Sequence, residues 1–195
     1  MEKRYFCEKC NEETFVKPKK NNKRKTKHHL AFRQNILKKK IKPNLQNVDK
    51  KYLDILTPVN FLMCEDCHFA FHRQHKALKC DEELVLNGNN PCNNCEDALF
   101  CFHNYVKRAV KREIETGKIT EFVEDENGKT RLPKEKELFE TYVYLIQEVC
   151  AEIYLEFKLK GIHKKKFHDA EIRNLLEGLL KTRKALVKNN AQQGN

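Results

Sequence analysis

The feature that most constrains this chain is a pair of C-x2-C knuckles, Cys7-Glu8-Lys9-Cys10 and Cys64-Glu65-Asp66-Cys67, far apart in the sequence. Turns of this spacing each present two thiolates to one ion, and two of them complete a tetrahedral four-cysteine zinc site. Such a site ties the start of the chain to a segment well downstream, whatever lies between. What lies between is a poor core: residues 14–48 hold twelve Lys or Arg and no Asp or Glu. A segment of about 80 residues with so basic a middle buries too little apolar surface to be stable alone. Zinc would supply folding free energy directly.

The same run accounts for the charge of the protein. The 195 residues carry 39 Lys or Arg against 28 Asp or Glu, a formal net charge of +11. Without the run, 27 basic residues face 28 acidic ones. A localised excess of this kind is either a solvated linker or a surface that faces phosphates, where neutralisation releases condensed counterions. In the second case Lys23, Arg24, Lys25, Lys27, Arg33, Lys38, Lys39 and Lys40 are the candidate DNA contacts.

Composition sets further limits. The length allows one ordinary domain or two small ones. A hydrophobic content of 39% and a charged content of 34% imply a small apolar core. No stretch reaches the ~18 apolar residues needed to span a bilayer, so no membrane role is expected. Met1 to Tyr5 runs into Cys7 without an apolar signal core, and a cytoplasmic location is expected. Nine cysteines in a reducing compartment point to metal ligands before disulfides. Cys80, Cys92, Cys95 and Cys101 can close a second zinc site, with His75 or His103 as substitutes, or they are buried thiols near a helix start. Cys150 reads as a core residue.

Ile41 to Pro58 reads as a loop, and Glu65 to about Leu78 as a short helix that starts at the second knuckle. Asp97 to about Glu115 reads as a helix with Leu99, Phe102, Val106, Ala109 and Val110 on one side. Asn127-Gly128 predicts a hairpin between residues 119 and 132. A helix from Pro133 to about Lys160 stacks Leu138, Tyr142, Leu145, Val149 and Ile153, and Gly161 ends it. Asp169 caps a last helix through Ile172, Leu176, Leu180 and Val187. Residues 189–195 are expected to be a disordered tail. The division is 1–80, 81–188 and the tail.

The histidines fall into the same framework. His28-His29 sits inside the basic run, Asn60 precedes the second knuckle, and His68 and His72 share one face of the helix after it. The order C-x2-C, His-His, Asn, C-x2-C-His-x3-His resembles the HNH (His-Asn-His) endonucleases of the ββα-metal group over residues 7–72. The resemblance implies a small zinc-stabilised ββα-metal domain; with the helices and hairpin read above, the chain is expected to be an α+β protein in which that domain is followed by a mostly α-helical region with one β-hairpin. The resemblance also implies His29 as general base and His28, His68 and His72 as ligands of a catalytic divalent metal (Mg²⁺, Mn²⁺, Ni²⁺ or Zn²⁺). Asn60 would steady the base-bearing loop. Thirty residues separate His29 from Asn60 and the Gly-rich stretch common there is missing, so Asn44 and Asn47 are further candidates for that position. The implied activity is hydrolysis of DNA phosphodiester bonds, leaving 5′-phosphate and 3′-hydroxyl ends.

The chemistry supports these residue types independently. A neutral imidazole can take a proton from water, and an ion with open positions can stabilise phosphate charge. The alternative is a zinc module that binds DNA or RNA without cutting it, with Cys64, Cys67, His72 and His75 in one mixed site. Phe69 and Phe71 are expected in the small core. His103, His163 and His168 are expected to be surface or capping groups. The C-terminal helices are candidates for homodimerisation or for docking a protein partner.

Overall fold

The computed structural model describes residues 3–17, 19–30, 52, 54–77, 95–115, 123–124, 126–128, 130–131 and 142–193. Four short strands form one curled sheet: β1 (Tyr5–Phe6), β2 (Glu13–Phe15), β3 (Lys23–His29) and β4 (Asn60–Cys64), in that spatial order. β1 and β2 are antiparallel, β2 and β3 parallel, and β3 and β4 antiparallel. Helix α1 (Glu65–Ala77) follows β4 without a break and opens on Glu65 and Asp66, whose charge suits a helix N-terminus.

The basic run, for which a solvated linker was one reading, is thus partly a strand. Lys23-Arg24-Lys25-Thr26-Lys27-His28-His29 has little β propensity of its own. The pairing with β4 holds it, in a register from Lys25 opposite Cys64 to His29 opposite Asn60. Thr26 Oγ1 adds a 2.9 Å bond to the Met63 carbonyl. β4 is a strand by alternation, with Phe61 and Met63 fully buried and Leu62 between them half-buried.

The remaining elements are helical apart from one hairpin. A 3-10 turn (Ala98–Phe100) leads into α2 (Phe102–Glu115). Strands β5 (Val123–Glu124) and β6 (Thr130–Arg131) pair across Gly128, whose φ of +71° is the left-handed conformation the Asn-Gly signal anticipates. Then come α3 (Tyr142–Leu159), the single turn α4 (His163–Lys166) and α5 (Ala170–Gln193). Gly161, at φ +68°, ends α3 in a Schellman arrangement: its N–H reaches Lys158 O at 3.0 Å and the Ile162 N–H reaches Phe157 O at 2.9 Å. Asp169 caps α5 through a 2.7 Å bond from the Glu171 amide.

Three expectations need correction. Residues 189–193 belong to α5, because the helix continues past its apolar stripe rather than fraying at Asn189. The stretch 41–58 contains a helical turn at 54–56, with Ile55 and Leu56 buried, so its described end is core rather than loop. The helix expected from Asp97 begins as a 3-10 turn and becomes regular only at Phe102.

One apolar core spans the boundary placed at residue 80. Phe61 of β4 meets Phe100 at 4.7 Å and Phe157 of α3 at 5.8 Å between ring centroids, and Phe157 meets Phe167 at 5.7 Å. The helices are clamped by charge as well. Arg112 of α2 bonds Glu148 at 3.0 Å and also reaches Glu152, Arg108 reaches Glu152 at 2.8 Å, and Arg183 of α5 lies 3.4 Å from Glu148. Among the described residues, no helix is long and apolar enough to cross a membrane.

Candidate metal centres

The four knuckle cysteines converge, with all sulfurs within 4.8 Å of one another. Cys10 Sγ and Cys64 Sγ stand 3.9 Å apart, too far for a disulfide of about 2.05 Å. Thiolates about 2.3 Å from a tetrahedral ion are separated by about 3.8 Å, so the donor set fits one metal ion. Each knuckle is built by its own backbone. The Cys7 amide bonds Glu12 O at 2.9 Å, Asn11 closes the turn to Cys7 O with a positive φ of 60°, and the Glu8 amide bonds Leu62 O at 2.7 Å. In the second knuckle the Cys67 amide lies 3.4 Å from Cys64 Sγ and donates to it.

The thiols differ in their readiness to ionise. Burial pushes Cys7 up, but hydrogen bonds to the backbone at Cys10, Cys64 and Lys9 outweigh it and bring it down to about 7. Burial, and then hydrogen bonding with the Cys64 and Cys10 thiols, pushes Cys67 well above the usual range. Four thiols this close can all ionise only around a cation, and a bound metal would deprotonate each of them.

A second cluster lies on the β3–β4–α1 unit. His28 of β3 and His68 and His72 of α1 place one ring nitrogen each within 4.8 Å of the others. His68 and His72 are one helical turn apart, and their Nε2 atoms stand 3.0 Å from each other. Two imidazoles bound side by side to one ion, at about 2.0–2.1 Å each, give a similar separation. His28 is completely buried and rests against Phe71, 4.4 Å between centroids. Its Nε2 lies 2.7 Å from the Phe100 carbonyl, which can only accept. The proton therefore sits on Nε2 and the lone pair on Nδ1, a tautomer fixed from outside the cluster in the way metal-binding histidines usually are. Burial holds His28 down to about 4, against the Phe100 carbonyl, and the neighbouring His68, His72 and His29 rings reinforce the shift. Burial also lowers His68, with smaller contributions from His72 and His29. Both stay neutral, as ligands must.

His29 follows His28 on the strand and is half-buried, directly opposite Asn60 in the register. Asn60 Nδ2 donates to Pro58 O at 2.8 Å, which fixes the turn entering β4. A pocket lined by Asp66, Phe69, His72 and Arg73 opens along the exposed side of α1. Phe71 is core as expected, but Phe69 is 57% exposed because the helix turns it away from β3.

The basic candidates are less uniform than their sequence suggests. Lys23 forms an ion pair with Glu12 and a second, at 3.2 Å, with Asp66, and these carboxylates raise its pKa further. Lys25 lies 3.4 Å over the Tyr5 ring. Arg24 and Lys27 are exposed. Arg33, Lys38, Lys39, Lys40, Asn44 and Asn47 lie outside the described residues, as do Cys80 and Cys92. Cys95 and Cys101 are both brought towards His75, while His103 belongs to α2. The mixed site of Cys64, Cys67, His72 and His75 is not assembled, because His72 joins His28 and His68. Cys150 is fully buried, as expected.

Sequence reasoning missed Lys166. It is buried between the halves of the fold, with Nζ 2.9 Å from Glu8 Oε2, also bonded to Asn60 O and 4.0 Å over the Phe61 ring. Burial lowers its pKa, against the raising effect of Glu8. It lies in a lysine run, and no local signal separates it from Lys164 or Lys165.

Comparison with known proteins adds no relative: no family model, no curated protein and no solved structure matches the chain.

Proposed function

We propose that the protein is a metal-dependent endonuclease that hydrolyses DNA phosphodiester bonds, with zinc in the four-cysteine centre. The observation that carries this reading is the convergence of His28 with His68 and His72 on a strand–strand–helix unit, braced at its other end by the four thiols. This is the arrangement that the HNH resemblance implies. A bound divalent ion would polarise the scissile phosphate and stabilise the charge that develops on its oxygens.

The chain's own residues supply the rest. His28 is buried and committed to Phe100, which suits a ligand and not a base. His29 follows His28 at the end of β3, is half-buried, and would take the proton from the attacking water. Asn60, opposite His29, would hold the strand end that carries the base. Arg24 and Lys27, exposed on the same strand, would bind flanking phosphates.

Plasmid nicking with Mg²⁺, Mn²⁺ or Ni²⁺ tests the proposal. Activity should vanish with chelator and fall about 10²–10⁴-fold in His29→Ala, the usual contribution of a general base. A His29→Ala protein that nicks like the wild type would overturn the assignment. Binding of DNA or RNA without any nicking would favour the non-catalytic reading.

A further inference from the structure

A third group of donors lies outside both centres. His75 is on α1 one turn beyond His72, whereas Cys95 and Asp97 precede the 3-10 turn that leads to α2. Their ligand atoms lie within 4.8 Å of one another. We propose that His75, Cys95 and Asp97 supply three of the four ligands of a second structural zinc site, with water in the fourth position, which pins the end of α1 to the start of the helical region.

Asp97 is the main clue. It occupies the N-cap position of the 3-10 turn, where its carboxylate would ordinarily bond the backbone, yet it makes no such bond. It is instead 1% exposed and turned towards α1. Oδ1 is bound by Lys9, the residue before Cys10 in the first knuckle. Oδ2 is buried, accepts no hydrogen bond among the described residues, and lies 3.5 Å from His75 Nε2. That distance is long for a charge-assisted bond and close to the ~3.4 Å between nitrogen and oxygen donors on one tetrahedral zinc.

The donor chemistry is specific. Thiolate, imidazole and carboxylate together suit zinc, whereas Mg²⁺ and Ca²⁺ take oxygen ligands. Cys95 loses its thiol proton on binding, so thiolate and carboxylate balance the charge of the ion. Ligation through His75 Nε2 leaves the proton on Nδ1, which faces Cys101 Sγ at 3.8 Å. Cys101 thus orients the ring from behind and is not itself a donor.

The placement gives the site a purpose. The segment it would anchor contains Phe100, whose carbonyl sets the His28 tautomer. The helix it would anchor carries His68 and His72. A metal here would hold both sides of the histidine cluster in register without touching it.

Zinc content of the full-length chain and titration of the metal-free protein with Co²⁺ test the site. Cys95→Ser and Asp97→Asn should each contain one zinc equivalent less than wild type. The near-UV thiolate-to-cobalt band should grow in two steps in wild type and in one step in Cys95→Ser. The variant should lose about a fifth of the intensity, because Cys95 is one thiolate beside the four of the knuckles. His68→Ala/His72→Ala should keep both steps, since that cluster carries no sulfur, so the result does not depend on nuclease activity. Equal zinc in wild type and both variants would overturn the proposal. If both variants lose all zinc, the wild-type titration decides: two steps support the site and one step overturns it.

Discussion

His28 Nε2 lies 2.7 Å from the carbonyl oxygen of Phe100, a residue 72 positions later in the chain. The bond joins the strand that carries the histidine pair to the turn that opens the helical region. It fixes which nitrogen of a fully buried ring keeps its lone pair. The histidine cluster is therefore not a property of the strand–strand–helix unit alone, because the helical region sets the tautomer.

A consequence appears at acid pH. The folded protein holds His28 near 4, below its ordinary 6.5, chiefly by burial. The unfolded chain therefore takes up a proton that the folded chain refuses. Stability from this group is complete above pH 6.5 and is lost as pH falls through 4, by up to about 3 kcal/mol. Urea unfolding of protein without metal at the histidine cluster should show this loss. His28→Gln, which keeps a donor for Phe100 O, should not. Parallel curves for the two proteins would refute burial of a neutral imidazole as the cause.

Stripping the four-cysteine centre should release the sheet. β1 and β2 have two and three residues, too short to persist without a metal ion that would join their knuckle to β4. Hydrogen exchange after treatment with a strong chelator should show amide protection disappearing from residues 5–15 and retained in α3. Protection that survives in both regions would mean that packing alone holds the sheet.

Lys166 should behave as one half of a buried pair. Lys166→Met leaves the Glu8 carboxylate, half-buried and otherwise bonded to the Leu62 amide at 2.9 Å, without its counter-charge. Such a change costs about 3–5 kcal/mol, and Glu8→Gln in the same protein should recover part of it. Additive effects of the two substitutions in denaturant titrations would show that the pair is not coupled.

The basic strand should contribute unevenly to DNA binding. Lys23 is already engaged by Glu12 and Asp66, so Lys23→Ala should change affinity little. Arg24→Ala with Lys27→Ala should weaken binding and flatten the dependence of log affinity on log salt by about one unit for each phosphate no longer neutralised. Fluorescence anisotropy at several salt concentrations checks this, and equal slopes in all variants would remove β3 from the interface.

The parts of the protein legible in its sequence are those whose geometry is local. A C-x2-C turn brings its two sulfurs together whatever follows, and His68 and His72 share a face because four residues make about one helical turn. Asn127-Gly128, Gly161 and Asp169 likewise marked a hairpin, a helix end and a cap through their own backbone preferences. The resemblance to HNH nucleases singled out the His28-His29 pair, but only the tertiary structure separates a fully buried His28 from a half-exposed His29. Lys23, Lys25 and Lys27 look alike in sequence, and packing alone makes the first an ion pair, the second a cation over a ring and the third solvated. Asp97 was legible only as a helix start, and Phe100 and Lys166 carried no signal. Each acts on a partner at least 22 residues away, and those separations close only when the core around Phe61 and Phe157 forms. Sequence spacing determined which donors could share an ion; long-range packing decided which side chains are dry, and dryness fixes their charge and their tautomers.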